Sequence, residues 1–400
     1  MVERIEGGIT APAGFTAAGV ACGIKASGLD LALLVATPAA RAAGIFTTNL
    51  AVAAPVVVTR EHLARSGATT RAVVVNSGCA NACTGPSGLD VARAMADDTA
   101  LAVGCPPEQV LVSSTGVIGA PLDPAKIKAG VLSATQTLGR DQHTAAAEAI
   151  MTTDPWSKET AVRADTPAGS FRVGGMAKGA GMIEPNMATM LAFLTTDAEI
   201  SPGGLHRALR EVADPTFNAI TVDGETSTND MVLLLAGGSS GVQIDEGLYP
   251  HFVEALHAVC HELALAIVRG GEGASKLVSI HVAGAGSVDE ARQAAKAMAN
   301  SPLVKTAVHG EDPNWGRLVA VAGRAGVAFE PTRARVFVGP VELFGHETVY
   351  ADREPEAAAH LKQDEVSLIV DLGTGGTASF TAWTCDFSAE YVRINADYRT

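Results

Sequence analysis

Short apolar, β-rich runs alternate along this chain with alanine-rich stretches of helical spacing, and that alternation restricts the fold more than any other feature. Residues 32–36, 53–59, 72–75 and 110–113 read as strands, separated by turn signals of Pro, Gly, Asn and Ser. Residues 89–102 and 141–152 have helical composition, rich in Ala with spaced apolar positions. Further on, 205–212 and 250–268 predict helices, while 231–236, 277–282 and 334–338 predict strands. Residues 287–300 open with Ser287 as an N-cap and carry Glu290 three residues on, the spacing of a capping box. Elements interleaved in this way predict an α/β fold of α and β layers, with helices covering sheets.

At 400 residues the chain exceeds the usual single-domain size, so two or three packed units are expected. The small-residue run 283–287 is the expected start of a C-terminal unit. A net charge of -14 argues against a nucleic-acid or anionic-membrane surface, and 4% aromatics against base-stacking platforms. The first six residues include the charged Glu3, Arg4 and Glu6, with no signal-peptide core behind them, and no stretch is expected to reach the length that spans a bilayer. Of the six cysteines only Cys79 and Cys83 are close, and neither a His nor a second Cys pair stands at zinc-finger spacing. Small buried thiols in a reducing cytoplasm are therefore expected, with no metal.

Five segments have the composition of a site. In KGAGMIEPNMATML, from Lys178 to Leu191, Thr189 follows the small Ala188 in a glycine-rich run with apolar flanks. A hydroxyl there could attack the preceding carbonyl, and cutting would leave a threonine whose own amine serves as base. The alternative is a buried threonine in a loop. VSSTGVIG, 112–119, follows a strand and could aim backbone N–H groups into a pocket as an oxyanion hole does, or be a plain strand-to-loop junction. NSGCANACTG, 76–85, reads as a capping turn beside a pocket. FNAITVDGETSTND, 217–230, could form a polar wall or bind a cation, although it lacks EF-hand spacing. NSPLVKTAVHGEDPNWGR, 300–317, brings Lys305 and His309 into one run, with a structural role expected for His309.

All of these blocks but 217–230, with MTTD at 151–154, GITAPAGF near the start and the C-terminal YVRINADYRT, together resemble the ornithine acetyltransferase family, also called glutamate N-acetyltransferase. The resemblance spans nearly the whole chain in order and spacing. It implies an αββα-type sandwich core with a smaller α/β C-terminal domain, divided near 1–285 and 286–400, with a subdomain near 198–280. It also implies that the precursor cuts itself between Ala188 and Thr189, giving an α chain of 1–188 and a β chain of 189–400. The freed Thr189 would then take acetyl from N-acetylornithine and pass it to glutamate through an acetyl-threonine ester. Thr115 and Gly116 match the oxyanion-hole pair. Thr152, Lys178, Thr189, Glu272, Asn395 and Thr400 match substrate contacts, with Thr153 able to serve in place of Thr152.

Two departures accompany the match. Residues 270–276 read GGEGASK where the family usually has DGEGATK, placing Gly270 and Ser275 at the changed positions, and Cys79 stands where Asn is common. The resemblance further implies no cofactor, with acetyl-CoA as an open second donor, a heterotetramer or larger assembly of α and β chains, and a cytoplasmic arginine-biosynthesis enzyme. The rival expectations are a self-cleaving N-terminal-nucleophile aminopeptidase or amidase, which releases product to water, and an uncleaved small-molecule-binding protein of the same fold.

Overall fold

The structure is a computed structural model and describes residues 1–184 and 190–397. Two compact units emerge, one of Met1–Asn218 with Glu225–Ile267 and one of Ala219–Gly224 with Val268–Thr400.

The first unit runs β1 (Val2–Ile5), β2 (Phe15–Val20), β3 (Leu31–Phe46), α1 (Ala54–Arg65), β4 (Thr69–Cys79), α2 (Gly85–Val103), β5 (Val110–Val117), α3 (Pro124–Thr137) and α4 (His143–Ala149). It continues with β6 (Lys158–Thr166), β7 (Gly169–Lys178), β8 (Leu191–Thr196), α5 (Pro202–Ala213), β9 (Met231–Ala236) and α6 (Tyr249–Arg269), the last of which runs two residues past the unit's end. Among the described residues its strands join in the order β1-β6-β7-β8-β9-β3-β4-β5, with β2 on β3. The long β3 makes the link: residues 31–36 pair with β2 and β4, residues 41–46 pair with β9, and the register shifts between Val35 and Ala40.

Side-chain alternation along β3 sorts the layers. Leu31, Leu33 and Val35 pack in one core with Val58, Met95 and Ile127 from α1, α2 and α3. Ala32, Leu34 and Ala36 face the other way, into a core shared with Met176, Leu191, Phe193, Met231 and Leu233 from β7, β8 and β9. Beyond those strands lies α6, whose Phe252 ring is 5.9 Å from that of Phe171. A Cβ on Gly175 would meet Leu263 and Val259 of the same helix. The first unit is thus stacked helix, sheet, sheet, helix, a mixed α/β architecture.

Two expectations for this unit fail for physical reasons. Residues 53–59 start the helix α1 instead of forming a strand. Pro55 occupies its first turn, and Pro55, Val58, Thr59 and His62 are buried at helical spacing that a window ending at residue 59 cuts short. Contrary to the expectation that no stretch approaches bilayer length, the 21 residues of α6 are long and apolar enough to cross a membrane by length and composition. Half of its most apolar window is buried against the sheet, as in a core helix.

The second unit contains β10 (Leu277–Ala285), α7 (Val288–Ala299), α8 (Pro302–His309), α9 (Trp315–Arg324), β11 (Arg335–Val338), β12 (Val341–Gly345) and β13 (Thr348–Val349). After these come α10 (Glu354–Leu361), β14 (Glu365–Asp371), β15 (Ala378–Cys385) and α11 (Ala389–Ala396). Its sheet order is β13-β12-β11-β14-β10-β15, and Ile280 and Val282 of β10 pack on Ala291, Ala295 and Met298 of α7. Ser287 caps α7 by accepting from Glu290 N at 3.2 Å, while the Glu290 carboxylate accepts from Gly286 N at 3.0 Å. The run 283–287 therefore joins β10 to α7 inside the second unit instead of opening it. The unit begins earlier in the chain because β10 is an inner strand of its sheet.

Candidate active site

Strands β4 and β5 run parallel and end together, setting Ser77 opposite Thr115 and Gly78 opposite Gly116. The register then shifts, and Cys79 faces both Thr115 and Val117. Such a bulge takes backbone groups out of the ladder. Gly116 has φ +128°, and a Cβ on it would lie 2.3 Å from Gly78 C. Only glycine fits that conformation and that approach. Buried amides hold the turn: Ser114 Oγ donates to Asn76 Oδ1 at 2.5 Å, and Asn76 Nδ2 donates to Cys79 O at 2.9 Å. Asn229 Nδ2 donates to Ala80 O at 2.6 Å and to Ser114 O at 2.8 Å. The block 76–85 thus works as a braced turn beside Thr115 and Gly116. Cys79, where the family commonly has Asn, donates its thiol to Ala120 O at 3.3 Å.

Lys178 and Thr152 meet, with Nζ donating to Oγ1 at 2.9 Å. Thr152, not Thr153, is the partner. Both are organised by Asp154, whose side chain is fully buried. It accepts from Lys158 Nζ at 2.5 Å, from Gly179 N at 2.7 Å and from Thr152 N at 3.1 Å, and lies 4.0 Å from Lys178 Nζ. Burial by itself would raise the Asp154 pKa, but the ammonium groups of Lys178 and Lys158 and the bonds from Lys158 and Gly179 outweigh it and hold it at about 2. Helix α4 is shorter than the predicted 141–152 because the chain leaves it to build this cluster.

At the start of β9 stands Asp230, 2% exposed. Burial pushes its pKa well above the usual carboxylate range, opposed by bonds from Ser227 and the charge of Lys178. Its Oδ2 has no hydrogen-bond partner among the described residues. Met231 N donates to Met190 O, so Asp230 lies beside the segment that follows Thr189 in the chain. Ala188, Thr189 and Thr400 themselves lie outside the described residues.

In the second unit, Glu272 is buried and accepts from Asn395 Nδ2 at 2.6 Å. The same amide donates to Tyr391 O at 3.0 Å, and Tyr391 OH donates to Asp223 Oδ2 at 3.1 Å. The loop 270–276 is fixed by Asp386, which accepts from Ser275 N at 2.7 Å, Ser275 Oγ at 2.6 Å and Lys276 N at 3.0 Å. Ser275 thereby keeps the hydroxyl role that the usual threonine would offer. His309 joins the same carboxylate through Nδ1 at 2.7 Å. Gly273 has φ +70°, and a Cβ there would lie 2.6 Å from Tyr391 N.

The run 217–230 is divided between the two units. Its carbonyls do receive cations, but the chain's own: Lys296 Nζ bonds Ile220 O at 2.6 Å, and the buried Lys305 Nζ bonds Val222 O at 2.7 Å. Among the described residues no three His, Cys, Asp or Glu side chains gather to hold a metal ion. Cys79, Cys260 and Cys385 are buried, whereas Cys83 is exposed. Sequence reasoning singled out neither Lys158 nor Asp154 for a role. The only signal was Asp154 closing the MTTD block.

Known proteins place this arrangement. The ArgJ family model matches residues 16–400. The arginine biosynthesis bifunctional protein ArgJ of Symbiobacterium thermophilum is 47% identical over 405 residues, covering 100% of both chains. That of Dehalococcoides mccartyi is 47% identical over 406 residues, covering 99% of this chain and 98% of its own. A crystal structure of ArgJ from Bacillus halodurans aligns with TM-score 0.49 and 40% identity over 50% of this chain and 96% of that one. Ornithine acetyltransferase of Mycobacterium tuberculosis, complexed with ornithine, aligns with TM-score 0.44 and 44% identity over 47% of this chain and 100% of that one. The chain belongs to the ArgJ family.

Proposed function

We propose that Thr189 carries the acetyl group in this glutamate N-acetyltransferase of arginine biosynthesis. The observation that supports it most is the Asp154 cluster, which fixes Lys178 and Thr152 by short bonds and tethers Gly179, ten residues before the nucleophile. The Thr189 hydroxyl attacks the Ala188 carbonyl, the peptide C–N bond breaks and leaves the threonine amine free, and water then opens the resulting ester to release the Ala188 carboxylate and the Thr189 hydroxyl. That amine then takes the hydroxyl proton while the oxygen attacks the acetyl carbonyl of N-acetylornithine, and ornithine leaves. Glutamate reverses the step and departs as N-acetylglutamate. Thr115 and Gly116 stabilise the oxyanion each step develops, and losing one such donor costs roughly 100–1000-fold in rate. Lys178 takes the substrate α-carboxylate and Glu272 the ornithine amino end, with Thr152, Asn395 and Thr400 as further substrate contacts. The processed chains, 1–188 and 189–400, assemble as a heterotetramer or a larger assembly in the cytoplasm, and the reaction uses no bound cofactor.

Intact mass measurement tests this directly. Purified protein should give two chains split at 188/189, and N-acetylornithine without glutamate should add one acetyl group to the 189–400 chain. Thr189→Ala should stay a single 40.8 kDa chain without transfer activity; normal processing in that variant removes Thr189 as nucleophile.

A further inference from the structure

Lys25 has no part in the roles above, yet its side chain reaches into the same cluster. Its Nζ donates to Met151 O at 3.1 Å, the carbonyl directly before Thr152. Its stem crosses Gly78, where a Cβ would lie 2.7 Å from Lys25 Cγ, and Gly78 is the register partner of Gly116. The side chain thus lies along both parts of the first unit's candidate site, the bulged turn and the Lys178–Thr152 pair.

Its backbone is anchored as firmly. Asp30 accepts from Cys22 N at 2.6 Å, Ile24 N at 2.7 Å and Lys25 N at 3.0 Å. An ammonium has three donors, and Met151 O is the only hydrogen-bond acceptor of Lys25 Nζ among the described residues. Three ionisable neighbours set its charge. Burial lowers the Lys25 pKa, Asp30 and Asp154 oppose the loss, and Lys178 adds to it. Asp154 is committed to Lys158, to Gly179 N and to Thr152 N, so it does not saturate Lys25. Burial raises the Asp230 pKa, with bonds from Ser227 and the charge of Lys178 opposing the shift. Lys178 likewise has Thr152 Oγ1 as its one hydrogen-bond acceptor among the described residues.

Two ammonium groups with donors to spare, held in one cluster, suit a ligand with two anionic groups. Both substrates carry an α-carboxylate, but only the acceptor carries a second one. We propose that Lys25 binds the side-chain carboxylate of glutamate, leaving Lys178 to the α-carboxylate common to both substrates. The proposal rests on the reading of Lys178 given above. It makes Lys25 a residue of the second half-reaction: the donor half needs one cation, the acceptor half needs two.

The test separates those halves. Lys25→Met keeps the stem over Gly78 and removes the charge. Ornithine release in a single turnover without glutamate should stay within about threefold of wild type. The kcat/KM for glutamate should fall about 10–100-fold, the range for losing a hydrogen bond to a charged group. Preference for glutamate over glutamine, which has the same shape without the charge, should collapse in the same variant and persist in Lys25→Arg. Equal losses in both half-reactions, or a preserved glutamate preference, overturn the proposal. A wild-type protein that releases no ornithine refutes the acetyl-transfer reading itself, and Lys25 falls with it.

Discussion

The two units hold their candidate charged residues in opposite ways. In the first, Lys178 sits in a mesh of ion pairs and backbone bonds centred on one carboxylate, with Lys158 fully buried as its counter-ion. In the second, Glu272 accepts a hydrogen bond from the side-chain amide of Asn395 on α11. A buried ion pair is costly to break because it strands the remaining charge, whereas a carboxylate bonded to a neutral amide loses only that bond. The first arrangement ties substrate binding to folding. The second leaves binding adjustable with little cost to the fold.

Removing Asp154 is the harshest way to break this contrast. Asp154→Ala leaves Lys158 buried without a partner and should cost about 3–5 kcal/mol, read as a lower urea midpoint for unfolding. Asp154 also sets an acid limit. Its folded-state pKa lies below the unfolded value of about 3.9, so its stabilisation is complete above that pH and fades as pH falls toward 2. Wild type should therefore lose stability more steeply than Asp154→Asn between about pH 4 and pH 2. Parallel curves for the two proteins would show that Asp154 is not held as an anion.

A milder change acts on binding alone. Lys178→Ala removes a cation but leaves the Asp154–Lys158 pair closed, so processing should persist while KM for N-acetylornithine rises about 10–100-fold. Wild-type kinetics would take Lys178 out of the carboxylate site. A fall in stability as large as that of Asp154→Ala would erase the distinction between the pair that folds the unit and the cation that binds substrate.

Much of this was legible in the sequence where a local pattern carried it. The apolar, β-rich runs at 32–36 and 72–75 marked strands, and Ser287 with Glu290 marked a helix start. The stretch 53–59 was misread because three consecutive valines favour a strand until Pro55 and the buried His62 extend the helical spacing. The charged partners were illegible for a different reason. Lys25 meets Met151 across 126 positions and Thr152 meets Lys178 across 26, and no periodicity encodes such distances. Family blocks located Lys178 and Thr152 but were silent on Lys158, which makes its contact entirely inside the fold.

Asn395 provides the smallest and most discriminating prediction. Asn395→Ala deletes the 2.6 Å bond to Glu272 and leaves its carboxylate with fewer donors. A bond of that kind contributes about 1.5 kcal/mol, so the expected effect is about a tenfold rise in KM for N-acetylornithine with little change in kcat. Asn395→Asp should do worse than alanine, since it sets a second negative charge against Glu272. If aspartate proves the better substitute, the two side chains do not share a bond in the working enzyme. If the alanine variant instead unfolds as readily as Asp154→Ala, Glu272 is held as rigidly as Lys178, and the two units do not differ in the way their geometry indicates.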